Sequence, residues 1–181
     1  MILPIYTYGQ PVLRKVAQDI PTDYPELGKL IADMFETLDA ASGGVPAAIR
    51  VVVIDLDVLK EDYPQYAGFR HAFINGHIIE ADEKAGNVSM EEGCLSIPGL
   101  GEDVSRPKRI HATWLDENLQ QHDEWVDGYQ ARVMQHEFDH LEGVLYIDKV
   151  SPFRKQMNRN KLKAMAQGKF RAAYRTKPIH K

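Results

Sequence analysis

Cysteine is nearly absent: Cys94 is the single one in 181 residues, so no intramolecular disulfide can form and a reducing compartment, the cytoplasm, is expected. Long apolar runs are missing too. Nothing approaches the roughly 20 residues that cross a bilayer, and the opening Met1-Ile2-Leu3-Pro4-Ile5-Tyr6 lacks the charged and then apolar segments of a secretion signal. Membrane insertion and secretion are therefore not expected. No internal repeat or low-complexity tract occurs, which sets repeat architectures aside.

Acidic residues are absent from one stretch altogether. Lys149 to Lys181 hold eleven Lys or Arg and no Asp or Glu, whereas the other 148 residues hold 11 basic and 26 acidic side chains. Such a tail can seek polyanions while the body stays acidic. A solvated basic helix and a nucleic-acid contact are both open readings, because no aromatic residues are regularly interleaved with the charges.

What is present is 44% hydrophobic and 27% charged, enough for one soluble domain with its own core. Leu27, Leu30, Ile31, Met34, Phe35 and Leu38 recur at helical spacing and form one apolar stripe. That helix starts near Pro25, with Thr22 or Asp23 as caps, and ends at the paired Gly43-Gly44. Arg50 to Asp55 (RVVVID) reads as a buried strand, and Asp57 to Arg70 as a surface excursion. His71 to Ile79 reads as a strand with Asn75-Gly76 as a turn or bulge, and the segments flanking Asp116-Glu117-Asn118 as a hairpin. His71, His77, His111 and His122 have no partner at ligand spacing and read as ordinary strand or surface residues. Ser151-Pro152 opens a last helix running to about Gln167-Gly168, with Phe153, Met157, Leu162 and Met165 left to pack it.

Between hairpin and last helix lies His136-Glu137-Phe138-Asp139-His140, inside an amphipathic helix that starts at Asp127 as N-cap and stops at Gly143. Ala131, Met134, Phe138 and Leu141 mark its buried side. Histidines at i and i+4 leave one helix face together and can grip one metal ion. Glu137 sits one position off that face, where a carboxylate can reach a water on the metal without being a ligand.

A hydrolytic centre needs a third protein ligand. The pattern H-E-x-x-H-x-x-G-x-x-H matches as far as Gly143, but Tyr146 stands where the third histidine belongs. A downstream glutamate ligand fails as well, since no acid follows Asp148. Upstream, Cys94 is the strongest candidate: a thiolate binds metals well, and Gly93 lets the backbone come close. The competing reading of a lone cysteine is a small buried hydrophobe.

Glu92-Gly93-Cys94-Leu95-Ser96 followed by Gln135-His136-Glu137-Phe138-Asp139-His140 resembles the peptide deformylases, whose second motif is E-G-C-L-S and whose third is H-E-x-D-H. The resemblance extends from Gly9-Gln10-Pro11-Val12-Leu13-Arg14 through Val104-Ser105-Arg106-Pro107 to Ser151-Pro152. It implies a metal-dependent hydrolase that removes the N-terminal formyl group from formyl-methionyl nascent polypeptides and releases formate. Cys94, His136 and His140 would hold the metal, typically Fe2+ in the family, with Zn2+ or Ni2+ able to use the same ligands. Glu137 would be the general base, the Leu95 N–H a donor to the oxyanion, and Asp139 a supporting residue. The expected fold is α+β, mostly antiparallel sheets around a central metal-binding helix, with a basic C-terminal helix. Residues 1–148 would be the catalytic domain and 149–181 the basic helix and tail of that domain, with Lys149 to Lys181 a contact for the ribosome.

One family motif, G-x-G-L-A-A-x-Q, is not intact. Without gaps, Gly43 to Arg50 keeps the first glycine and Ala47-Ala48 but puts Arg50 at the glutamine; with a gap, the motif is missing between Gly43 and Gly44, and RVVVID stays in register with the family strand. Losing one oxyanion donor costs roughly 10² to 10³ in rate. A non-catalytic metal-binding homologue is therefore the alternative function.

Overall fold

The apolar stripe of the first helix packs where its spacing predicts. In the computed structural model, which describes residues 1–41 and 49–179, helix α1 (Leu27–Ala41) turns Ile31 and Met34 into the interior. They meet Val51, Val53, Ala72 and Ile74, which belong to strands β2 (Val51–Asp55) and β3 (Arg70–Ala81). Val52 and Ile54, pointing the other way along β2, enter a second cluster. A strand buried on both faces reads as a continuous apolar run rather than an alternating one, which is why Val51-Val52-Val53-Ile54 has no polar member.

β2 and β3 form one edge of a four-stranded antiparallel sheet completed by β6 (Arg109–Leu115) and β7 (Gln121–Asp127), in the order β2-β3-β6-β7. Over it lies α2 (Gly128–Leu141), whose Ala131, Met134, Phe138 and Leu141 join Phe73, Ile110, Ala112, Trp114 and Val126. Asn75-Gly76 is a bulge inside β3, where the register shifts between Ile74 and His77. It has two structural uses. The Asn75 amide exchanges two 2.8 Å hydrogen bonds with the backbone of Ile20, and Gly76 leaves room for the Phe138 ring, which any Cβ at that position would overlap.

The other side of α2 faces a hairpin of β4 (Asn87–Cys94) and β5 (Ile97–Pro107), joined by the two-residue turn Leu95-Ser96. Ile97, Leu100 and Val104 of β5 pack with Leu145, Tyr146, Ile147 and Val150, and with Leu162 and Met165 of α3 (Pro152–Ala166). The hairpin escapes a search for apolar alternation because two of the inward positions of β5 carry charge, Glu102 and Arg106, both buried. Their partners make burial affordable in electrostatic terms: Arg154 and Asn158 of α3 hold Glu102, and Glu92 and Asp139 hold Arg106.

Two expectations for the last helix divide. Leu162 and Met165 are buried, but Phe153 and Met157 are exposed, and the place expected for them is taken by Asn158. The helix docks through the polar Glu102 anchor as much as through an apolar face. Ser151 caps it, its Oγ accepting from the Arg154 N–H at 3.3 Å. After α3 the chain returns as β8 (Thr176–Lys177), which pairs in parallel with β1 (Ile5–Tyr6). The fold is α+β, with antiparallel sheets enclosing α2 as expected.

Candidate metal centre

Two elements build the centre. α2 begins where Asp127 leaves β7 in extended conformation and ends before Gly143, whose φ of 70° puts it in the left-handed C′ position. Asp127 makes no side-chain cap; instead the hydroxyl of Tyr66, from the segment between β2 and β3, accepts from the Gln130 N–H at 3.1 Å. Gly143 also lies against the Arg14 carbonyl, so a Cβ there has no room. With both ends fixed, one face of α2 presents Tyr129, Val133, His136 and His140 toward β4. The alternation of β4 points Val88, Met90, Glu92 and Cys94 back toward the helix.

Cys94, His136 and His140 come together, their ligand atoms all within 4.8 Å of one another. Cys94 Sγ lies 3.3 Å from His140 Nε2, and the two imidazole centroids are 5.1 Å apart. His136 Nδ1 is engaged by Glu92 Oε1 at 2.8 Å, which leaves its Nε2 for a ligand role. His140 Nδ1 is buried with no hydrogen-bond partner among the described residues. Among those residues this is the one His/Cys/Asp/Glu cluster close enough to hold an ion. A thiolate and two imidazoles suit a divalent transition metal.

The charges around the centre are fixed by buried partners. Burial would raise the carboxyl of Glu92, but the His136 imidazole and the Arg106 guanidinium outweigh it and hold it down at about 2. Arg106 reaches Glu92 with Nε at 2.6 Å and Nη2 at 3.0 Å, and turns Nη1 to Asp139 at 2.7 Å. Arg132 adds an ion pair to Glu92 at 2.7 Å. Burial would likewise raise the Cys94 thiol, yet the neighbouring His140 and His136 bring it down; burial would lower both imidazoles, yet Cys94 raises them. Thiol and imidazoles thus shift in opposite directions, each favouring the charged form of the other.

Tyr146, which stands where a third histidine would be, stacks on His136 at 5.9 Å between centroids and 21° between planes, and its hydroxyl donates to the Leu100 carbonyl. That ring is a wall of the centre. Asp139 is engaged elsewhere: it accepts from Arg106 and lies 3.4 Å from Lys149 Nζ. Glu137 and Leu95 line, with Cys94, His136 and His140, a cavity of about 220 Å³. Met90, Tyr129 and Val133 form its apolar side, with the Arg132 guanidinium beside them, and none of the four was singled out by sequence. The signal for them was available, since Tyr129 and Val133 precede His136 on one helical face and Met90 shares a strand face with Cys94. Among the described residues the other histidines lie elsewhere, each beside a carboxylate: His71 with Glu117, His77 with Asp19, His111 with Asp123 and His122 with Asp116.

The chain matches the Polypeptide deformylase family profile over residues 2–156. It is 42% identical over 196 aligned residues to the peptide deformylase of Flavobacterium psychrophilum, covering 100% of this chain and 99% of that protein. It is 43% identical to the peptide deformylase of Cytophaga hutchinsonii, covering all of both.

The chain belongs to the peptide deformylase family.

Solved deformylases share its architecture. A structure of the enzyme from Ehrlichia chaffeensis in complex with actinonin superposes with a TM-score of 0.76 at 30% identity, over 91% of this chain and 97% of that one. The deformylase from Thermotoga maritima gives 0.70 at 35% identity, over 84% and 99%. The alignment to the Flavobacterium deformylase is longer than the 181 residues here, so that relative carries residues with no counterpart in this chain. Gly43 and Gly44, where the first deformylase motif is broken, lie outside the described residues. Arg50 is described: it is buried, it donates to the Gly76 carbonyl at 2.9 Å and pairs with Glu142, and it does not line the cavity.

Proposed function

We propose that this chain performs its family's reaction at the centre built by β4 and α2, with Cys94, His136 and His140 as metal ligands. The reaction is removal of the N-terminal formyl group from formyl-methionyl polypeptides, with release of formate. The observation that carries the site assignment is the convergence of one thiol and two imidazoles beside a carboxylate, Glu137, that is not part of the cluster. The donor set fits a divalent ion, which we take as Fe2+, with Zn2+ and Ni2+ suited to the same ligands.

Bound there, the ion would supply Lewis acidity to the formyl oxygen and a more acidic water for attack. Glu137 would take the proton from that water and return it to the departing amine. The Leu95 N–H, first donor of the turn after Cys94, would face the oxygen on which charge develops. Glu92 would hold His136 by its Nδ1, fixing tautomer and ring angle, while Arg106 and Arg132 keep Glu92 ionised. Met90, Tyr129 and Val133 would give the methionine side chain an apolar wall.

Formate release from a formyl-methionyl peptide, by protein prepared without oxygen, tests this. Glu137→Ala is expected to lower turnover by about 10² to 10⁴. Equal slow hydrolysis by both proteins would sink the assignment, and full metal binding without turnover would favour the non-catalytic alternative.

Residues 1–148 are read as the catalytic part and 149–181 as a basic extension of the same domain that contacts ribosomal RNA in the cytoplasm. Lys155, Arg159 and Lys163, one turn apart along α3, line one groove with Tyr8 and Ile147 and support that reading. Among the described residues no helix is long and apolar enough to cross a membrane.

A further inference from the structure

We propose that Tyr174 is a positioning residue for deformylation, its hydroxyl holding the Leu95 carbonyl so that the turn after Cys94 keeps the Leu95 N–H aimed at the reacting oxygen. The inference rests on the role given to Leu95 above.

Leu95 and Ser96 are the whole connection between β4 and β5. A two-residue turn is the part of a hairpin most easily altered by rotating its peptide planes, and a donor that rotates away from a developing oxyanion contributes little. This turn is restrained from outside the hairpin at both of its carbonyls. The Tyr8 N–H donates to Ser96 O at 2.7 Å, and the Tyr174 hydroxyl donates to Leu95 O at 2.8 Å. The N–H and the C=O of Leu95 lie on the two sides of one α-carbon. Fixing the carbonyl, with Cys94 already paired to Ile97, therefore limits both torsions of Leu95.

The two clamps come from opposite ends of the chain. Tyr8 follows β1, and Tyr174 precedes β8, which pairs with β1. Ile5 N–H donates to the Arg175 carbonyl at 3.0 Å, one residue beyond Tyr174, and the Gln10 side chain donates to the Lys177 carbonyl at 3.1 Å. Phe170 and Tyr8, like Cys94, pack against the cluster that includes Ile97. The tail is thus anchored on both sides of Tyr174, and the phenol, protonated at neutral pH, is a constant donor.

The test uses the full-length metal-loaded protein and a formyl-methionyl tripeptide. Tyr174→Phe keeps the ring and deletes the donor. The expected result is a kcat lower by about 5- to 20-fold, a part of the 10² to 10³ lost when such a donor is removed outright, with KM and thermal midpoint unchanged. Gln10→Ala removes one outer anchor of the same tail but leaves the Tyr174 hydroxyl on Leu95, and is expected to lower kcat by less than Tyr174→Phe does. An unchanged kcat in Tyr174→Phe overturns the proposal, as does a raised KM alone or an equal loss in Gln10→Ala. Wild-type protein that releases no formate overturns the functional reading itself and this inference with it. Wild-type turnover with no effect of Tyr174→Phe removes this inference alone.

Discussion

His136 Nδ1 lies 2.8 Å from Glu92 Oε1, and the same carboxylate is held by two nitrogens of Arg106, all three residues being buried or nearly so. The link joins a strand residue and a helix residue 44 positions apart in the chain, so the ring that would bind metal is oriented by the hairpin as well as by its own helix. Asp139, on the far side of Arg106, ties the chain of charges back to α2.

Removing Glu92 should therefore do two separable things. Glu92→Ala leaves Arg106 and Arg132 as buried cations without their main partner, at an expected cost of about 3 to 5 kcal/mol in unfolding free energy. It also frees the His136 ring, for which a loss of about 10- to 100-fold in metal affinity is expected. Urea unfolding reads the first and a metal titration the second. Wild-type affinity in the variant would show that α2 alone orients His136.

Metal uptake should expel protons. The imidazoles of His136 and His140 are raised above their ordinary range by Cys94, against the effect of burial, so without metal they hold their protons to a higher pH than a free imidazole does. Metal ligation needs neutral imidazole. Affinity should then fall as pH falls, and titration calorimetry at pH near 7 in two buffers of different ionisation enthalpy should give different heats. Identical heats would show that ligation displaces no proton. A chelator should abolish formate release, and Fe2+ should restore it.

The parts of this molecule legible in the sequence are those with a period or a motif. The stripe of α1, the doubly buried β2 and the helix ends at Asp127 and Gly143 follow from spacing and backbone chemistry. Cys94, His136 and His140 could be named, but their meeting in space is a property of the β4–β5 hairpin, which apolar alternation could not reveal because Glu102 and Arg106 occupy inward positions. The exposure of Phe153 and Met157 was illegible for the same reason: a polar anchor, Glu102 to Arg154 and Asn158, sets the rotation of α3. The pairing of β1 with β8 rests on two residues in each strand, too few to carry a pattern.

Histidine also shapes stability away from the centre. His122 lies flat on Trp114, 5.0 Å between centroids, with Asp116 at 2.8 Å and Glu124 at 2.9 Å. Hydrogen bonds to Asp116 and then Glu124 raise its pKa above the ordinary value. A raised folded-state pKa stabilises fully below the unfolded value of about 6.5, and the contribution is lost as pH rises through the folded value. His122→Gln should accordingly lower the thermal midpoint more at pH near 6 than at pH near 9. An equal shift at both would assign the effect to lost stacking on Trp114.

The basic helix carries two kinds of cation, and salt should tell them apart. Arg154 is committed to the buried Glu102 through Nε and Nη2, at 2.6 and 2.7 Å, and serves to dock α3. Lys155, Arg159 and Lys163 stand in line along the groove instead, where phosphates could be met. Each phosphate neutralised on structured RNA contributes about 0.7 to 0.9 to the slope of log affinity against log salt. Replacing the three with alanine should reduce that slope for ribosome binding by about 2 to 3. Arg154→Ala should act mainly on thermal stability, because it leaves Glu102 short of its cation. A slope unchanged by the triple replacement would take this face of α3 out of the contact and leave the basic tail as a solvated surface.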